Sequence, residues 1–381
     1  MNAIPLWSML EATRLTRAGQ LNEATALLMR GLQGGATPSA EATTPMPRAS
    51  RIIDVDPGTG EVIELAGAPP HVAKAPFIPG ALRGFLDQAR RQGSAQHEAP
   101  PDGTRFVTQT YASPGGSRDY KLYIPRSVGD GPALIVMLHG CTQSPDDFAA
   151  GTAMNRLAER HGCLVAYPAQ TRAANAQKCW NWFQPGDQAR DQGEPALIAG
   201  ITRQVMREHS VDARRVFIAG LSAGGATAAI MGQAYPELYA AVGVHSGLAC
   251  GAARDVPSAF AAMRQGSVGA PRGARGATPT IVFHGDRDST VHPSNGDRVM
   301  TQSGREGLTV EIERGRVPGG HAWTRTTHSD AAGWPVLEQW MVHGGGHAWS
   351  GGSTAGSYTD PLGPDASTEM MRFFLAHPRR A

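Results

Sequence analysis

A chain of 381 residues with 41% apolar side chains is long enough for one large folded domain and an appendage. Lysine plus arginine total 35 against 33 aspartate plus glutamate, and with no long block of either sign this argues against a nucleic-acid footprint or an acidic tail. No run reaches the roughly 18–20 apolar residues of a membrane span. The four cysteines (Cys141, Cys163, Cys179, Cys250) lack C-x-x-C spacing, so no metal site is read.

Residues 5–33 place Leu6, Met9, Leu10, Leu15, Leu21, Ala24, Leu27, Leu28 and Leu32 mostly three or four apart. This spacing predicts two amphipathic helices broken near Gly19. They suit a helical cap or a homodimer contact, the alternative being a helix that docks on a partner or a granule surface. The N-terminus has no basic n-region, continuous apolar h-region or small-residue cleavage site. It therefore does not read as a Sec signal, and a cytoplasmic location is expected, with secretion by another route left open. Residues 34–103, rich in Ala, Pro, Gly and Thr, read as a partly disordered linker with short ordered stretches over 51–65 and 80–92.

Periodicity changes at Thr104, where a domain over 104–381 begins. TRFVTQTYA and DYKLYIP alternate like an antiparallel pair turning at Pro114-Gly115-Gly116. Short apolar runs follow at 133–140, 163–168, 215–220, 240–247 and 280–285, with 336–344 as the last strand. Helical stretches separate them near 146–160, 194–209, 224–234 and 293–303, and Asp365 caps a final helix. Continuous apolar strands alternating with helices predict an α/β fold, a mostly parallel sheet covered on both faces. Residues 251–277, rich in Gly, Ala and Arg, read as a flexible insertion, either a lid or a loose surface loop.

The strongest chemical signal is Gly220-Leu221-Ser222-Ala223-Gly224, a G-x-S-x-G pentapeptide after a strand and before a helix. A sharp strand-to-helix turn raises a serine hydroxyl above the sheet, and the pattern predicts an α/β-hydrolase fold with Ser222 as nucleophile. A hydroxyl needs a base to take its proton, and in this architecture the acid and the histidine follow in chain order. Asp286 and Asp288 compete for the acid, Asp288 being preferred because it lies deeper in the loop after the strand. His347, in a Gly-rich loop before the final helix, is preferred over His321 as base. His284 and His292 read as loop-stabilising, and His245 as a satisfied buried imidazole. The backbone N–H groups of Ala223 and Cys141 are the expected oxyanion donors. Cys179-Trp180-Asn181-Trp182-Phe183, with Trp349 opposite, could wall an acyl pocket or belong to the core. His139, Thr142 and Gln143 are further candidates for contact with substrate. Four thiols are the plain reading and suit a reducing compartment better; the alternative is one bridge, for which Cys141–Cys179 is the pair.

HGCTQ (139–143), YPAQ (167–170), CWNWF (179–183), RVFIAGLSAGG (215–225), HGDRDSTV (284–291) and GGGHAWSGG (344–352) occur in one order. Together they resemble the polyhydroxybutyrate depolymerase family of esterases over about residues 104–378. The resemblance implies a Ser222–Asp288–His347 triad, Cys141 and Ala223 as oxyanion donors, and no metal or organic cofactor. It also implies hydrolysis of poly(3-hydroxybutyrate)-like polymer or oligomers. Family resemblance extends to acetyl xylan and feruloyl esterases, and a non-catalytic granule-binding or scaffold protein is the remaining alternative. With no signal peptide read and no polymer-binding domain after the catalytic region, soluble oligomers or intracellular granules are the expected substrates.

Overall fold

Five of the apolar runs form strands that are buried along their whole length, as side chains packed on both faces of a sheet require. The computed structural model describes residues 105–266 and 278–379. The expected helices over 5–33, the linker over 34–103 and part of the 251–277 insertion lie outside the described residues. In chain order the strands are β1 (Arg105–Ser113), β2 (Gly116–Ile124), β3 (Leu134–Leu138), β4 (Leu164–Pro168), β5 (Val216–Leu221), β6 (Ala241–His245), β7 (Thr280–Gly285), β8 (Thr309–Arg316), β9 (Ala322–Ser329) and β10 (Pro335–His343). They form one sheet in the order β1-β2-β4-β3-β5-β6-β7-β10-β9-β8. The central strands β4, β3, β5, β6, β7 and β10 run parallel, and antiparallel pairs close both ends.

Helices α1 (Pro145–Thr152), α2 (Met154–His161), α3 (Gly193–Glu208), α4 (Ala223–Ala234), α5 (Val256–Gln265), α6 (Ser294–Gln302) and α7 (Ala366–Ala376) cover the sheet. The pleat sends alternate residues of each strand to opposite faces. Leu134, Val136 and Leu138 of β3 pack with α3, α4, α5 and α6, while Ile135 and Met137 pack with α1, α2 and α7. Asp365 caps α7 by accepting the Thr368 N–H at 2.9 Å, as its position in the sequence predicts.

Two elements differ from the sequence reading. The hairpin β8–β9 precedes β10, and the short parallel pair β11 (Trp349–Ser350) and β12 (Thr359–Asp360) follows it, so β10 is not the last strand. Nearly every residue of β8 is exposed, so its brief alternation of Val310 and Ile312 with Glu311 and Glu313 answers to no core. Residues 256–265 of the expected flexible insertion form helix α5, closed by a capping box between Asp255 and Ser258. Its Ala- and Arg-rich composition hides a helix whose buried side chains are small.

On the α7 face, Phe374 is fully buried and stacks on Phe217 with ring centroids 5.1 Å apart. Truncating such a ring loses its transfer free energy and leaves a cavity. Phe374→Ala is expected to cost about 3–5 kcal/mol, read as a lowered midpoint in urea denaturation.

Candidate active site

Strand β5 ends at Leu221, α4 begins at Ala223, and Ser222 makes the whole turn with φ 58° and ψ −119°. This is a conformation that L-residues rarely adopt, held here by its surroundings. A Cβ on Gly224 would lie 2.1 Å from the Leu138 carbonyl oxygen, and one on Gly220 would lie 2.4 Å from the Gly224 backbone. Both glycines of the pentapeptide are therefore demanded by packing. The Ser222 N–H donates to the His245 carbonyl oxygen at 2.8 Å, which ties the turn to the end of β6.

The carboxylate of Asp288, in the loop after β7, lies 2.7 Å from His347 Nδ1 through Oδ2. Its Oδ1 accepts the N–H groups of Thr290 at 2.9 Å and Val291 at 2.8 Å. A third group stands behind it: His284 Nε2 lies 3.4 Å from Oδ2 and 2.9 Å from the Val291 carbonyl oxygen. A carbonyl only accepts, so Nε2 of His284 carries the proton. Burial alone would raise the Asp288 pKa, but the imidazoles of His347 and His284 hold it well below the usual carboxylate range. An ionised Asp288 takes a hydrogen bond from Nδ1–H of His347 and leaves Nε2 as the basic nitrogen.

The competing residues have other partners. Asp286 Oδ2 lies 3.0 Å from His343 Nδ1, and its Oδ1 accepts the Gly344 N–H at 2.7 Å. His321 Nε2 pairs with Asp360 at 3.0 Å. Both pairs flank the Gly-rich loop that carries His347. A Cβ on Gly285 would sit 2.2 Å from the Gly345 carbonyl oxygen, so this loop closes directly over the end of β7.

His245 does more than fill the core. Its Nε2 accepts the Ser350 N–H at 2.9 Å, so the proton sits on Nδ1, 3.1 Å from Ser246 Oγ. The ring stacks against Trp349. One residue thus joins the backbone of Ser222 to the strand three positions beyond His347. Sequence periodicity places His245 in a buried strand but carries no sign of this bridging role.

The loop after β3 holds the second expected oxyanion donor. Gly140 N–H donates to Gln143 Oε1 at 2.9 Å, and Thr142 N–H donates to the Gln177 carbonyl oxygen at 2.7 Å. Among the described residues, no intramolecular acceptor is recorded for the Cys141 N–H between them. The Ala223 N–H belongs to the first turn of α4, whose amides have no acceptor within the helix. A disulfide joins Cys141 to Cys179, the pair named for a single bridge, and leaves Cys163 and Cys250 as thiols, which overturns the plain all-thiol reading.

Several of the expected substrate contacts have partners within the fold. Trp180 is fully buried, its indole N–H donating to the His139 carbonyl oxygen at 3.1 Å. Trp349 is buried and donates to Ser367 Oγ at 3.0 Å, so this indole, like that of Trp180, belongs to the core; Trp182 is 6% exposed, as is Ser222. Gln143 spends its amide on Gly140, Asp147 and Ser357, and Thr142 Oγ1 donates to the Cys141 carbonyl oxygen at 2.6 Å. The backbone and side-chain N–H groups of Asn181 both donate to Glu194, at the start of α3. His139 Nε2 accepts the Gln170 N–H at 3.1 Å, and its Nδ1 lies 2.7 Å from the Gly140 carbonyl oxygen. Sequence reasoning gave no role to Gln170 or Glu194 and read His245 only as a satisfied buried imidazole, which it is.

Burial pulls His139 down to about 4 and His245 down to about 3, so both stay neutral where an unfolded histidine titrates near 6.5. Above 6.5 neither state binds the proton. Below it the unfolded chain gains protons that the folded protein refuses, so stability falls with pH until the folded pKa is reached. Glu194, raised by burial to about 7, runs the other way between 4.5 and 7, one group against two. Stability is expected to drop by several kcal/mol, an order-of-magnitude figure, from pH 6.5 to 4. Urea titrations at several pH values measure it, and His139→Gln should flatten the slope.

Residues 118–319 match the family described as esterase PHB depolymerase. The poly(3-hydroxyalkanoate) depolymerase C of Paucimonas lemoignei is 31% identical over 254 residues, 63% of this chain and 60% of that protein. The chain thus spans less than two thirds of the depolymerase's length. Feruloyl esterase B of Thermothelomyces thermophilus is 28% identical over 260 residues, 63% of this chain and 87% of that one. Among solved structures, an acetyl xylan esterase from Aspergillus awamori superposes with a TM-score of 0.55 at 20% identity, covering 71% of this chain and 99% of that chain. The fold they share is that of the α/β-hydrolases.

Proposed function

From the premise that the chain belongs to the PHB depolymerase family of esterases, we propose that it is a serine ester hydrolase acting through Ser222, His347 and Asp288. The observation that carries this reading is the buried 2.7 Å contact of Asp288 with His347, on a loop that His245 ties to the backbone of Ser222. Ser222 Oγ attacks the ester carbonyl carbon while His347 Nε2 takes its proton, and Asp288 stabilises the imidazolium. The carbonyl oxygen becomes an anion facing the N–H groups of Ala223 and Cys141. Collapse expels the alcohol, which receives the proton from His347. Water, deprotonated by the same nitrogen, then releases the acid and restores Ser222.

The substrate class that fits best is a 3-hydroxybutyrate-type polyester or its oligomers, supported by the motif order and by likeness to the Paucimonas protein. An acetyl or feruloyl carbohydrate ester is the second reading, supported by likeness to the fungal feruloyl esterase over most of its length. For location we propose a setting oxidising enough to keep the Cys141–Cys179 bridge formed.

Ser222→Ala is expected to abolish p-nitrophenyl butyrate hydrolysis and fluorophosphonate labelling while leaving the circular dichroism spectrum intact; turnover by this variant would refute the nucleophile. His347→Ala should be inactive and His321→Ala active, and the reverse outcome would move the base to His321. Parallel assays on hydroxybutyrate oligomers and acetylated xylan separate the two substrate readings.

A further inference from the structure

We infer that Glu194 is a positioning residue for the oxyanion hole, a carboxylate that clamps both ends of the loop to which Cys141 is fastened. This rests on the esterase reading above and adds to it a residue outside the triad.

The direction of the Cys141 N–H depends on residues 139–143, and these lean on the segment 170–181 at four places. The disulfide joins Cys141 to Cys179. Thr142 N–H reaches the Gln177 carbonyl oxygen, His139 Nε2 takes the Gln170 N–H, and the Trp180 indole reaches the His139 carbonyl oxygen. Any shift of 170–181 therefore moves the donor.

That segment is held at its two ends by one side chain. Oε1 of Glu194 accepts from Gln170 Nε2 and, at 2.8 Å, from Asn181 Nδ2; Oε2 accepts the Asn181 N–H at 2.7 Å. Gln170 Nε2 also donates to the Cys179 carbonyl oxygen at 3.0 Å, which draws the loop ends together. Every partner is a donor, so the site calls for a group with acceptors only, as an ionised carboxylate is. Glu194 is 4% exposed. Its own N–H is fixed by Asp187 Oδ1 at 2.8 Å, and a Cβ on Gly193 would lie 2.1 Å from that oxygen. Burial pushes the carboxyl up to about 7, and Asp187 adds to the rise. The Asn181 and Gln170 donors and the Arg118 guanidinium pull it back. Above neutral pH all three bonds are made by the charged form.

Glu194→Gln keeps the shape but places an NH2 group against N–H donors. A lost oxyanion donor costs about 10²–10³ in kcat, and one that is only displaced should cost about tenfold. With p-nitrophenyl butyrate at pH 8, kcat is expected to fall about tenfold while KM stays within about twofold. Inhibition by butylboronic acid, which binds serine hydrolases as a tetrahedral anion, should weaken by the same factor. Gln170→Ala removes one of the three bonds and should lower kcat about threefold, which keeps the test open if Glu194→Gln folds poorly. Wild-type kcat in both variants, or a loss seen only in KM, overturns the inference. So does an early-melting Glu194→Gln paired with an unaffected Gln170→Ala, which would mark a purely structural role. A wild-type protein that neither hydrolyses the ester nor takes up fluorophosphonate sinks the esterase reading itself, whereas active wild type with unaffected variants sinks the clamp alone.

Discussion

The structure depends on one crowded crossing, where β5 turns into α4 through the single residue Ser222. The turn needs backbone where other proteins carry side chains, since Gly220 and Gly224 nearly touch and Gly224 presses on the end of β3. Holding a serine at positive φ costs on the order of 1–3 kcal/mol, and the buried core on both faces of the sheet offsets it. What the strain yields is a hydroxyl held at the carboxyl ends of the strands, beside the first turn of a helix. The loops after β3, β6, β7 and β10 then converge on it, because neighbouring parallel strands all end at the same edge.

Around this point the molecule keeps its imidazoles in assigned roles. His139 and His245 are neutral, each accepting a backbone N–H with one nitrogen and directing the other at an oxygen of the next residue. His284 gives its proton towards the Val291 carbonyl and Asp288. These rings form a rigid frame, and desolvation keeps the two neutral ones from competing for protons at working pH. Asp288, held well below the usual carboxylate range, stays ionised and faces His347.

How much of this could be read in the sequence follows from burial. The parallel strands were legible because both of their faces are apolar, and the serine turn because its glycines leave no other choice. The hairpin β8–β9 was not, since β8 lies against solvent and its residues answer to no core. Helix α5 was hidden by small side chains and by a capping box that uses serine at its third position. At the site, the sequence put Asp286 and Asp288 in one loop and His321 and His347 in near-identical GGHAW contexts. Which acid meets which base is decided by the close approach of Gly285 to Gly345, a contact between segments some sixty residues apart that no local pattern encodes. The indoles at 180 and 349 look alike in sequence whether they line a groove or fill a core, and only long-range packing assigns them to the core.

The hairpin beyond β10 makes β8 the margin of the sheet among the described residues, with no strand of theirs paired to its outer row of peptide groups. Val310 and Ile312 are exposed there, but Glu311, Glu313, Arg314 and Arg316 alternate with and follow them. A stray strand laid along this margin would bring carboxylates and guanidinium groups out of water for little apolar gain. The margin therefore discourages fibril-like stacking of one molecule on the next.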